Sequence, residues 1–297
     1  MRAAAAASGL LLCLGALAGC DQPFPDETLV ERLRILAVAA EPPEVGLEGS
    51  LTFEALVADP AGQGRPRELT WGVCFFELGY AAADVDCPGP SSFPLAGAGD
   101  RATLSVPALI AWLLEQELPV DPGDPGGGGE LPARVTLFVG LRVEAPALPG
   151  QAAPERVRAL KRFDLRLQGA GATNRNPALA GVSLDGAPWD DAVPPRLEAG
   201  SEHLLRPTPL AGSVETYTAG EPPEERQETL LFSWFSTGGE FRDQRSVLDP
   251  WLFEDLSKNR FKAPAEPGGH TLWVVVRDER HGVGWWRGEF EVVDEAR

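Results

Sequence analysis

Along most of the chain apolar side chains recur at every second position, the period of a strand with one buried face. Leu33, Ile35 and Ala37 share one parity, and the run stops at Glu41-Pro42-Pro43, where a ladder cannot continue. Leu51, Phe53, Ala55 and Val57 repeat the pattern against Thr52 and Glu54. Leu69, Trp71, Val73 and Phe75 repeat it again, with Cys74 pointing off the core face. Val135, Leu137, Val139, Leu141 and Val143 give the cleanest alternation. Val157, Ala159, Phe163, Leu165 and Leu167 follow, with Arg156, Arg158, Arg162 and Arg166 outward as a solvated face. One short helix is predicted over residues 108–118, where Leu109, Ile110, Leu113 and Leu114 fall at helical spacing beside Trp112. Residues 81–99 and the Pro- and Gly-rich stretch 119–132 have no apolar period and read as loops.

A second set of strands begins after residues 169–178, whose Gly171, Asn174, Asn176 and Pro177 have the composition of a linker. Val182 and Leu184 precede an Asp185-Gly186 turn, residues 203–205 read as a short strand, and the acidic segment 220–228 as a surface loop. Leu230, Phe232 and Trp234 alternate. A closing hairpin then sets Leu272, Val274 and Val276 against Trp286, Phe290 and Val292 across the polar connection 277–282. Residues 271–276 are apolar on both faces and belong in the centre of a sandwich. Many short strands, Pro- and Gly-rich turns and almost no helix predict an all-β protein of two β-sandwiches in tandem, over residues 29–168 and 179–297.

The N-terminus has a different pattern. Arg2 precedes an apolar run that lacks charge and ends in Leu17-Ala18-Gly19-Cys20, after which Asp21, Gln22 and Pro23 are polar. The run is too short for a retained membrane span and reads as an export signal. Leu17-Ala18-Gly19-Cys20 resembles the lipobox of bacterial lipoproteins. The resemblance implies removal of residues 1–19 and acylation of Cys20 with palmitate-type chains, leaving residues 20–28 as a short spacer. Several buried acyl chains, at about 0.8 kcal/mol per CH2, would hold such a protein at a membrane. Asp21 stands where an inner-membrane retention residue sits in enterobacterial lipoproteins; the outer membrane or cell surface is nonetheless favoured, with the periplasmic face of the inner membrane the alternative. The stretches 36–59 and 264–293 also resemble the opening strands and closing hairpin of bacterial Ig-like domains, implying two Ig-like sandwiches.

Cys13 leaves with the signal and Cys20 takes the lipid, so Cys74 and Cys87 remain as a pair suited to a disulfide in an oxidising compartment. A metal site is the rival, weakened by the absence of a nearby His. The net charge of −18 argues against nucleic-acid binding. His203, His270 and His281 are too far apart in sequence for a metal motif, no Gly-x-Ser-x-Gly elbow surrounds Ser233 or Ser236, and the acidic pairs Asp84/Asp86, Asp121/Asp124 and Asp190/Asp191 lack a calcium-loop frame. No catalytic residue, metal or cofactor is therefore assigned. Adjacent strand residues face opposite ways, so Trp285-Trp286 places one ring outside. With Arg287 it forms a candidate surface for an envelope protein or a glycan. The expected function is a membrane-anchored, non-enzymatic extracytoplasmic binding or structural module, with a carbohydrate-binding accessory as the alternative.

Overall fold

The computed structural model describes residues 26–74, 87–89, 92–115, 133–168, 173–220 and 222–294. The first sandwich is built from β1 (Arg34–Glu41), β2 (Glu44–Gly46), β3 (Ser50–Ala58), β4 (Glu68–Cys74), β5 (Phe93–Pro94), β6 (Ala96–Ala98), β7 (Arg101–Ser105), the helix α1 (Val106–Glu115), β8 (Arg134–Ala145) and β9 (Glu155–Arg166). One sheet has the order β1-β3-β7-β6 and the other β2-β9-β8-β4-β5. The second sandwich contains β10 (Leu179–Leu184), β11 (Ala187–Pro188), β12 (Arg196–Glu198), β13 (Glu202–Pro209), β14 (Thr216–Ala219), β15 (Glu224–Gln227), β16 (Leu230–Ser236), β17 (Glu240–Phe241), β18 (Arg245–Leu248), β19 (Asn259–Lys262), β20 (Gly268–Arg277) and β21 (Val283–Val293). Its sheets run β11-β10-β13-β19-β17 and β12-β21-β20-β16-β18, with β14 and β15 as a separate hairpin.

The two bodies share one wiring. In each, the first strand pairs antiparallel in one sheet (β1 with β3, β10 with β13), and a short later strand crosses over to run parallel to the last strand of the other, β2 directly after β1 and β12 after the β10–β11 hairpin (β2 with β9, β12 with β21). Closing the second sheet with a strand from the opening segment is an Ig-like arrangement, and the protein is an all-β pair of Ig-like sandwiches. The alternation read from sequence sets the two cores. Leu51, Phe53, Trp71, Leu104, Leu141 and Phe163 fill the first, and Phe232, Trp234, Phe261, Val274, Trp286 and Phe290 the second.

Three local readings change. Residues 93–94 and 96–98 lie in strands, where residues 81–99 read as a loop, because these edge strands are too short to show a period. Part of the acidic segment 220–228 is likewise β15, paired with β14 rather than looping freely. In β1 a bulge between Ile35 and Ala37 flips the parity, so Val38 and Ala40 face the core while Leu36, Ala37 and Ala39 face outward. Cys74 and Cys87 form a disulfide with Cα atoms 6.0 Å apart. It crosses the outer face of the β4–β8 pair, where Gly72 and Gly140 stand opposite each other in register. A Cβ at Gly140 would overlap the Cys87 sulfur, so the platform under the bridge must be glycine.

Candidate functional site

The outward apolar face of β1 identifies the most distinctive site, the seam between the two sandwiches. Leu36, Ala37 and Ala39 of β1 and Ala58 of β3 pack with Trp273 and Val275 of β20 and Val283 of β21, and Leu56, Phe235 and Trp285 flank them. The outer face of a sheet normally meets water, but here it is a third apolar core. This explains why residues 271–276 are apolar on both sides: Leu272, Val274 and Val276 fill the sandwich, and Trp273 and Val275 fill the seam. The N-terminal segment enters here as well. Val30 is buried in the seam, and Leu29 bridges to Ser236 at the end of β16, whose N–H donates to the Thr28 carbonyl at 2.9 Å.

The described part of the inter-domain connection is held at both ends. The Asn174 backbone N–H donates to the Glu44 carboxylate at 3.1 Å, and its side-chain amide donates to the Arg280 carbonyl at 2.8 Å. Asn176 donates to the Ala40 carbonyl at 2.7 Å and accepts from Val283 N–H at 2.8 Å. The Pro177 carbonyl approaches Gly284 so closely that a Cβ there would overlap it. Polar clamps on an apolar seam fix the relative placement of the sandwiches, against the default expectation of inter-domain motion.

The predicted surface residues Trp285, Trp286 and Arg287 each have a place in this frame. The Trp286 ring is in the second core, edge-on to Trp189 at 5.2 Å. Trp285 faces the other way, into the seam, because the outer side of β21 is covered by the first sandwich. Arg287 is exposed and pairs with Glu289 at 2.7 Å. Cys20 and the acidic residues Asp84, Asp86, Asp121 and Asp124 lie outside the described residues, and Asp190 and Asp191 are exposed. The described residues contain no group of three or more His, Cys, Asp or Glu able to hold a metal ion. No described helix is long and apolar enough to cross a membrane.

One constellation was invisible in the sequence. Ser201 Oγ lies 2.7 Å from His203 Nε2, and His203 Nδ1 lies 2.8 Å from Asp185 Oδ2. Burial acts to raise the Asp185 pKa, but bonds from His203 and the Leu204 N–H outweigh it and hold the carboxyl below its ordinary value. The line has the spacing of a nucleophile, base and orienting acid. The rest of a hydrolytic site does not accompany it. The Ser201 hydroxyl also donates to the Glu198 carbonyl at 2.5 Å, so its one proton has a competing acceptor. The N–H groups of Ala199, Gly200 and Ser201, which could stabilise an oxyanion, are bonded to the carbonyls of Val293, Pro264 and Glu198. The arrangement fastens the 185–186 turn to β13.

The positive charges of the seam were also hidden, because they come from separate strands. On one side a cavity of about 520 Å³ is lined by Lys161, Arg162, Arg277, Asp278 and His281. Lys161 Nζ donates to the His281 carbonyl, and burial pushes the lysine pKa down to about 8. On the other side, a cavity of about 370 Å³ is lined by Arg34, Arg245 and Arg277 together with Ser233 and the tether residues Glu27 and Thr28. Arg277 sits between the two, and burial with the nearby Arg245 lowers its pKa from the ordinary value.

No protein-family model matches the chain, and no curated protein matches it in sequence. Among solved structures it is similar to a Corynebacterium diphtheriae protein described as a candidate membrane-anchored protein, at 9% identity and a TM-score of 0.25, over 86% of this chain and 58% of that one. It is also similar to the tandem Ig repeats of Drosophila Dlar, at 11% identity and a TM-score of 0.23, covering 90% of this chain and 100% of that one. Murine CEACAM1b aligns at 10% identity and a TM-score of 0.21, over 86% of this chain and 100% of that chain. The strand order, rather than these superpositions, assigns the Ig-like fold.

Proposed function

We propose that this chain is a lipid-anchored, extracytoplasmic module of the bacterial envelope that binds or spaces other components without catalysing a reaction. The observation that carries the reading is the seam, which joins two Ig-like sandwiches into one body and from which the N-terminal segment departs. Residues 20–26 can reach at most about 20 Å, so acylation at Cys20 would hold this body close to the bilayer. The disulfide supports an oxidising compartment outside the cytosol. Trp251 is 70% exposed and Phe253 fully so, in a turn on the second sandwich; this is the surface we assign to a protein partner. The glycan-binding alternative drew on an outward ring at Trp285 or Trp286 and on acidic loops; Trp286 is buried and Trp285 is half-buried in the seam, which favours the more exposed Trp251–Phe253 turn as the binding surface.

The test is made in the native host. Mass spectrometry of the membrane-extracted protein is expected to find Cys20 as an acylated N-terminal residue, and Cys20→Ala is expected to release the chain from membranes. A photo-crosslinking residue at position 253 is expected to trap a discrete envelope protein that the same residue at 287 does not. An unmodified Cys20 removes the anchor from the proposal, and identical products at the two positions remove the binding surface.

A further inference from the structure

Most arginines of the described chain have carboxylate partners within ion-pair distance, as Arg65, Arg101, Arg206 and Arg280 illustrate. In a protein of net charge −18 this is the expected condition. Arg34, Arg245 and Arg277 depart from it together, around a single cavity of about 370 Å³. Arg34 donates to the Glu27 carbonyl at 2.7 Å and stacks on Phe235 at 5.1 Å. Arg277 donates to Ser233 Oγ at 3.1 Å and to the Leu36 carbonyl at 3.3 Å. Arg245 stands opposite Ser233 in the β16–β18 register. Arg34 and Arg277 thus have neutral partners only, Arg245 has no carboxylate within ion-pair distance among the described residues, and like charges lie close enough for Arg245 to depress the pKa of Arg277. The only acid in the lining is the exposed Glu27.

Like charges gathered in a half-buried cavity repel one another and pay for desolvation unless an opposite charge joins them. The planar forks left unused by carboxylates match the oxygens of a tetrahedral oxyanion, with the Ser233 hydroxyl as a further polar contact. We propose that the Arg34–Arg245–Arg277 cavity binds a phosphate-type oxyanion. This goes beyond the module function above and stands without it. The ligand is either a soluble phosphate or phosphate ester, or the headgroup of a lipid; only the second source draws on the anchor, since the cavity is lined by the tether residues Glu27 and Thr28.

The experiment uses the full chain carrying Cys20→Ala, so that no acyl group contributes. Inorganic phosphate is titrated by calorimetry, and flotation is measured with phosphatidylcholine vesicles with and without phosphatidylglycerol. Arg245→Gln changes an exposed position, and Arg34→Gln is a second, independent variant; circular dichroism and melting temperature establish that each is folded. Phosphate binding that weakens at least about tenfold in either folded variant supports the site with a soluble ligand. Flotation that needs phosphatidylglycerol and is lost in the variants supports it with a headgroup. Neither binding by the parent chain, or equal binding by parent and both folded variants, overturns it. Arg162→Gln, which lines the opposite cavity, is expected to bind as the parent does.

Discussion

Lys161 shows how much a single placement can decide. Its side chain is buried at the seam, donates to the His281 carbonyl, and is faced by Asp278 and Asp164 as well as by the like charge of Arg277. Burial is the largest influence and takes its pKa from 10.5 to about 8. Between these values the unfolded chain holds a proton that the folded chain has released, so unfolding takes up a proton and stability rises with pH across that window. The gain is on the order of 3 kcal/mol at most, and it vanishes below about pH 8, where both states are charged. Lys161→Met is expected to abolish this rise, so denaturant unfolding of the two proteins should converge as pH is raised from about 8 to about 10. A stability difference that is constant with pH would show that Lys161 does not titrate there. The sequence carried a trace of this residue. The alternation at 157, 159, 163, 165 and 167 skips 161, and the skipped position is a lysine at core parity.

At the scale of elements, the β14–β15 hairpin is held by charge rather than by a core. Arg280, in the turn between β20 and β21, pairs with Glu228 at 2.7 Å and Glu215 at 2.7 Å, and its guanidinium lies 4.8 Å from the Tyr217 ring centre. Glu228 is fully buried, and burial raises its pKa even against the bond from Arg280. Arg280→Gln leaves a buried carboxylate without its cation and is expected to cost about 3 kcal/mol near neutral pH. A carboxyl raised in the folded state contributes stability that is present in acid and lost as pH rises through its folded pKa. The deficit of the variant should therefore shrink as the pH is lowered from neutral, as thermal melts at several pH values would reveal; a deficit that grows in acid excludes Glu228 as its source. None of this was legible, because β14 and β15 have no apolar period and their anchor lies some fifty residues downstream. The long strands β3, β8, β20 and β21 were legible because each repeats its alternation several times over a real core. Short edge strands such as β2, β12 and β17 offer at most one repeat and acquire their identity from the strand they join. The arginine cavity is illegible for the same reason, since register rather than spacing brings Arg34, Arg245 and Arg277 together.

For the whole molecule the decisive question is whether the sandwiches move as one, and neighbouring residues on β20 can answer it. Val274 and Val275 are both fully buried, but Val274 faces the second core and Val275 the seam. A carboxylate at either site is buried without a partner and is strongly destabilising. The two substitutions should nevertheless fail differently. Val274→Asp is expected to unfold the second sandwich, with loss of its circular dichroism. Val275→Asp can escape by parting the seam, which hydrates the new charge while both internal cores stay closed. A compact body of this length has a radius of gyration of about 19 Å. Small-angle scattering of Val275→Asp should exceed the parent value by several ångströms, with two melting transitions in place of one. The outcome bears on function because a joined pair keeps a fixed distance and angle between the N-terminal tether and the exposed Trp251–Phe253 turn. A parted pair would leave that turn free to wander on its linker. If both variants unfold alike, the seam is not a separate cooperative layer, and the rigid spacing on which the proposed module depends has no physical basis.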